Sequence, residues 1–148
     1  MKKLLLLAAA VAAVLLWQRY QDTAAPIADP DASAEWSLRS DAISAAFDAG
    51  HSGVQVRGAG TVSRILADDD DGSRHQRFIL ELDSGRTLLI SHNIDLAPRI
   101  ETLREGDAVS FNGVYEWNDR GGLVHWTHHD PRGQHEPGWL RHDGRIYE

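Results

Sequence analysis

The sequence predicts a mainly β fold: a small five-stranded barrel with an N-terminal helix and a short helix between strands three and four. Three observations carry this. Apolar residues recur with a period of two from Val54 onward, glycines interrupt the first and longest of these runs, and clusters of turn residues separate the runs at short intervals.

The 148 residues hold enough apolar side chains, 42%, for one ordinary core, and 25% charged residues is a globular composition. The chain opens with Met1-Lys2-Lys3 and an unbroken apolar run from Leu4 to Trp17. A positive start and a run shorter than the roughly 20 residues of a comfortable bilayer span read as a signal peptide or N-terminal membrane anchor over residues 1–20. Thr23-Ala24-Ala25 offers a small-residue cleavage site, but Pro26 follows it and disfavours processing, so an uncleaved anchor stays open. The expected location is the periplasm, either free or anchored to the inner membrane through that segment alone. Residues 21–35, QDTAAPIADPDASAE, are small, acidic and proline-marked, the composition of a flexible linker. The domain is then expected over 36–148.

Ser37 or Ser40 can cap a helix that runs to about Ala49, with Leu38, Ala42, Ile43, Ala46 and Phe47 at helical spacing and Gly50 as its stop. Val54, Val56 and Val62 keep one parity through Gly58 and Gly60, and the strand ends near Leu66 before the loop Asp68-Asp69-Asp70-Asp71-Gly72. A second strand carries Phe78, Leu80 and Leu82, turns at Asp83-Ser84-Gly85 and returns as a third from Thr87 to Ile90. In the segment Ile94 to Leu103, Pro98 suits the first turn of a short helix that presents Ile100 and Leu103. Val109, Phe111, Tyr115 and Trp117 alternate along a fourth strand, Asn118 to Gly122 turn the chain, and Leu123 to Thr127 form a fifth. Three strands, a helix and two strands is the order of a Greek-key OB-fold barrel, with an SH3-like barrel as its rival. OB barrels bind on the face of strands two and three, although the fold alone does not name a ligand.

Charge narrows the function classes. From Ala24 onward 12 arginines face 21 carboxylates, a net charge of −9, which repels phosphate backbones and argues against nucleic acid as a partner. The absence of cysteine removes disulfides and a lipid-modified N-terminal Cys. The four consecutive aspartates invite a calcium reading, but setting Gly72 as the loop glycine puts Ala67 and Phe78 at the first and last ligand positions. A solvated hairpin tip fits better.

Five of the eight histidines fall in the last 24 residues, most within HWTHHDPRGQHEPGW from His125 to Trp139. Two readings compete. Imidazoles beside a carboxylate suit zinc or another divalent metal where no thiolate exists, which makes His125, His128, His129, Asp130 and His135 candidate ligands. Along a strand His125 and His128 point to opposite faces, so a shared ion needs a bend between them, and the spacing matches neither HExxH nor a finger. The other reading has imidazoles and Asp130 bonding the backbone of irregular loops, with Trp139, Ile146 and Tyr147 covering the open end of the barrel. Tyr115, Trp117 and Trp126 are candidate ligand-stacking aromatics, although parity sets Tyr115 and Trp117 with the core residues Val109 and Phe111.

The segments Tyr115-Glu116-Trp117, Gly121 to Gly133, Gly138-Trp139 and His142-Asp143-Gly144, with Tyr147, resemble a family of short exported bacterial proteins of unknown function. The resemblance implies an exported small β-barrel and supplies no activity, cofactor or catalytic residue. Thermonuclease-type nucleases are also OB barrels, but their arginine and carboxylate motif has no counterpart placed residue by residue here. The expected function is therefore a non-catalytic module binding an envelope ligand or protein. The alternative is a divalent-metal-dependent, phosphodiesterase-like hydrolase built on the histidine and Asp130 set.

Overall fold

The computed structural model describes residues 42–148. The expectations for residues 1–20, the linker 21–35 and the capping serines Ser37 and Ser40 lie outside them. A helix occupies residues 42–48 (α1) and turns its Ile43 and Ala46 into the core. Among the described residues no helix is long and apolar enough to cross a membrane.

Seven strands follow: β1 (Val54–Ile65), β2 (His75–Glu81), β3 (Thr87–Asn93), β4 (Ala108–Glu116), β5 (Leu123–His125), β6 (Trp139–His142) and β7 (Arg145–Tyr147). The first five close a barrel in the order β1-β2-β3-β5-β4, sealed by β1–β4 pairing and containing one parallel pair, β3 with β5. This is the expected five-stranded OB-type barrel.

β1 is long because it serves two neighbours, β4 along Val54 to Thr61 and β2 along Thr61 to Ile65. It must curve between them, and its glycines allow the close approach. A Cβ on Gly58 would lie 2.6 Å from the Phe111 ring and one on Gly60 2.5 Å from the Glu81 carbonyl oxygen. A register shift between Val62 and Arg64 adds the remaining bend. The inward residues Phe78, Leu80, Leu88, Ile90, Val109, Phe111, Tyr115 and Val124 follow the parity read from the sequence and form one core.

The segment after β3 departs from expectation. Ile100 and Leu103 are buried as foreseen, but residues 94–107 form turns and extended chain, with no helix between strands three and four. The reason lies in two buried side chains. Gln76 of β2 accepts from the Ile100 N–H (2.9 Å) and donates to the Ile100 carbonyl (3.0 Å), while a ring nitrogen of His92 sits 3.2 Å from the Pro98 carbonyl. Backbone groups that a helix would have paired internally are bonded to the barrel instead.

The C-terminus supplies a second difference. Residues 139–147 form a hairpin that extends the sheet from β4, pairing Val109 with His142 and Phe111 with Leu140. Asp143 and Gly144 both take positive φ (48° and 75°), the left-handed pair of a two-residue hairpin turn. Tyr147 is buried as foreseen, Trp139 is half-buried, and Ile146 stays 44% exposed.

Candidate functional site

Alternation places every second residue of β2 and β3 on the outside of the barrel, where cross-strand pairing arranges them in rows. Ile79 pairs with Leu89, and Leu89 with Leu123 of β5; Arg77 pairs with Ser91, and His75 with Asn93. This face carries two hollows. One, of about 490 Å³, is lined by Leu66, Ile79, Thr87 and Leu89 and closed at one end by Asn118 to Arg120 of the β4–β5 loop. The other, of about 190 Å³, is lined by His75, Ser91, Asn93, His125 and His128, with Leu96 and Trp126 at its rim. Leu89 and Ser91 are alternate residues of one strand, so the hollows stand about 7 Å apart along β3.

The β4–β5 loop is fixed from within. Asn118 Oδ1 accepts from the N–H groups of Arg120 and Gly122, and Gly122, at φ 107°, lies where any side chain would enter the Tyr115 ring. On the β1–β2 side two of the four aspartates of the acidic loop are tied to arginines. Asp68 pairs with Arg99 (3.1 and 3.2 Å), and Asp69 with Arg77 (3.4 Å).

The histidine hollow exists because β5 is shorter than expected. The strand stops at His125, and Trp126 takes φ 51°, rare for a bulky residue, which turns the chain away. That is the bend needed to bring His125 and His128 to one hollow. Thr127 is then buried with its hydroxyl 2.8 Å from His92 Nδ1, and the Trp126 ring stacks on His135 at 4.1 Å between centroids. Asp130, also buried, accepts from the N–H groups of Arg132, Gln134 and His135 at 2.9, 2.7 and 3.1 Å. Those donors, led by Arg132, hold its carboxyl below the usual range. Asn112 of β4 donates to the Pro137 carbonyl at 2.7 Å, and the Gly138 N–H donates to the His128 carbonyl at 3.0 Å.

The protonation states are set by neighbours. His92 is fully buried, and burial lowers its pKa to about 4 against its hydrogen bonds, leaving a neutral ring. Burial also lowers the His125 pKa; its Nε2 lies 3.4 Å from Glu116 Oε1 without hydrogen-bond alignment. His128 Nδ1 lies 2.8 Å from the His129 carbonyl, so Nδ1 carries the proton of that hydrogen bond and Nε2 is the ring nitrogen left to the hollow.

The expected metal set is not assembled. His125 and His128 share a hollow, but His129 is exposed, Asp130 is committed to its own loop and His135 is stacked on Trp126. Among the described residues no three His, Asp or Glu side chains are placed to hold an ion. The three candidate aromatics are placed differently from one another. Tyr115 is a core residue whose hydroxyl donates to the Gly121 carbonyl (3.3 Å), and a face of the Trp126 ring is covered by His135. Trp117 is 43% exposed but is held by its indole N–H on the Phe47 carbonyl (3.0 Å). His75, Ser91 and Asn93, which complete the hollow, were not singled out from the sequence; the alternation of β2 and β3 was the signal that could have found them.

No curated protein matches the sequence. A family model matches residues 31–148, most of the chain, and the protein belongs to that family, described as protein of unknown function (DUF3465).

Proposed function

We propose that the protein is an exported, non-catalytic binding module that acts in the bacterial envelope and engages its ligand on the outer face of β2, β3 and β5. The observation that carries the reading is the pair of hollows along the outside of β3, flanked by the β1–β2 and β4–β5 loops. Those loops and that face are where OB barrels meet oligomeric ligands. Export is supported by the sequence of residues 1–20, two lysines followed by a short apolar run. The acidic balance of the chain weighs against a nucleic acid on this face.

Titration of the ¹⁵N-labelled full-length chain in detergent with soluble envelope glycan fragments, and separately with extended peptides, tests the reading. The expected amide shifts fall on β2, β3, β5 and the two loops. Leu89→Glu, which puts a charge into the larger hollow, abolishes them, and Ala108→Glu on the exposed start of β4 does not. A ligand whose shifts map to β4, β6 and β7 and survive Leu89→Glu overturns the proposed face.

A further inference from the structure

The smaller hollow has a hydrogen-bonding character that narrows the ligand. Asn93 Oδ1 already accepts from the Asp95 N–H at 3.0 Å, so the amide NH₂ end of Asn93 is the part left to donate. His128 contributes Nε2, an acceptor in the tautomer whose Nδ1 proton is spent on the His129 carbonyl. Ser91 adds a hydroxyl that both donates and accepts. Groups that donate and groups that accept are therefore both offered within one small concavity.

Charge is nearly balanced around it. Arg77 is turned onto the Ala67 carbonyl (3.1 and 3.2 Å) and Asp69, and Arg74 onto Asp95 (2.8 Å). The arginines beside the hollow thus already have partners, and an anionic ligand would find no free guanidinium there. Next along β3, Leu66, Ile79 and Leu89 offer aliphatic surface in the larger hollow.

We propose, resting on the binding face argued above, that the ligand is an uncharged saccharide chain. One sugar residue is hydrogen-bonded in the hollow of Ser91, Asn93, His125 and His128, and the next lies across Leu89. A hydroxyl is donor and acceptor at once, so a polyhydroxylated ring satisfies a mixed site that neither a carboxylate nor an ammonium group can. The two hollows, about 7 Å apart along the strand, are close enough for one short oligomer to occupy both. With a face of Trp126 covered by His135, the sugar is held by hydrogen bonds and aliphatic contact rather than by stacking on that ring.

The test titrates the full-length ¹⁵N-labelled chain in detergent, at constant neutral pH, with chitotetraose and maltotetraose as neutral probes and sulfate as an anionic one. Chitotetraose or maltotetraose at millimolar concentration is expected to shift the amides of Ser91 to Asn93 and His125 to His128, and sulfate is not. Asn93→Asp keeps the acceptor for the Asp95 N–H and removes the donor, so it weakens the sugar about tenfold while distant amides stay in place. Sulfate shifting these amides while neither sugar does overturns the saccharide and leaves the face standing. Sugar shifts confined to β4 and β6 overturn both, and so does the absence of any shift with all these probes. Sugar binding unaffected by Asn93→Asp overturns the assigned hollow.

Discussion

Within the barrel most buried side chains are hydrocarbon, Gln76, His92 and Asn112 apart: Val56, Phe78, Leu80, Leu88, Ile90, Phe111 and Val124 fill the space between strands, and their mutual contact is non-directional. From Trp126 to His142 the chain also contributes Leu140 to that core, but most of its buried side chains are Thr127, His128, Asp130 and His142, each fixed by a directed bond. His142 illustrates the contrast. It points inward from β6, 2.8 Å from Asp107 Oδ2, with its other ring nitrogen buried and unpartnered. The first region loses stability in proportion to the apolar surface a substitution removes. The second loses it when a donor, an acceptor or a protonation state changes, so acid and single-atom changes should separate the two.

The largest effect is expected for Phe111→Ala. Phe111 is wholly buried in β4, with its ring against the backbone of Gly58, so the deletion leaves a cavity at the point where β1 crosses β4. Urea unfolding should show a loss of about 3–5 kcal/mol, the same at pH 7.5 and pH 5, because no titrating group is touched. A cost that depends strongly on pH would mean that the barrel is not held independently of the segment after it.

His92 lies on the seam between the regions, a β3 residue bonded to Thr127 of the following segment. Its folded pKa of about 4 is below the 6.5 of the free side chain, so the folded state favours the neutral ring. Its contribution is complete above pH 6.5 and is lost as the pH falls from 6.5 to 4, where the unfolded chain binds the extra proton. The shift corresponds to about 3 kcal/mol over that window. Urea midpoints measured across it should fall for the native chain and fall less steeply, by about one proton, in His92→Gln. Equal slopes for the two proteins would assign the acid sensitivity elsewhere.

What the sequence reveals follows the same division. Strands β1 to β5 are legible because alternation reports burial directly, and the spacing of Val109, Phe111 and Tyr115 has one sensible face. Pro98, Ile100 and Leu103 fit both a helix and an extended loop; the residues that decide between them, Gln76 and His92, are distant in the chain. The β6–β7 hairpin stays hidden because an inward histidine reads as polar, although Asp143-Gly144 is a two-residue hairpin signal. At the site, sequence neighbours were grouped as ligands. The fold instead scatters His129, Asp130 and His135 among separate tasks and joins His125 and His128 to residues of two other strands. Of the histidines in this segment, His128 bonds a backbone carbonyl, His135 stacks on Trp126 and His129 is exposed, a division that their density in the sequence does not report.

The smallest and most local effect is expected at Asp130. Its carboxylate gathers the N–H groups of Arg132, Gln134 and His135, and through that turn His135 is presented to the Trp126 ring. Asp130→Ala removes these acceptors without opening the barrel core, so hydrogen exchange at the three amides should speed up about tenfold or more while the slowest barrel amides keep their protection. Trp fluorescence should change as His135 leaves the indole. Because the folded carboxyl titrates below its free value of 3.8, the order it supports is present above that pH and is lost as the pH falls through the lower, folded value. Acid should therefore act on the native protein in two stages, first at the His92–Thr127 seam and only then at the Asp130 turn. If the turn amides in the native chain lost protection together with His92 between pH 6.5 and 4, the segment and its seam would be one cooperative unit, and the Trp126 bend that shapes the histidine hollow would depend on both.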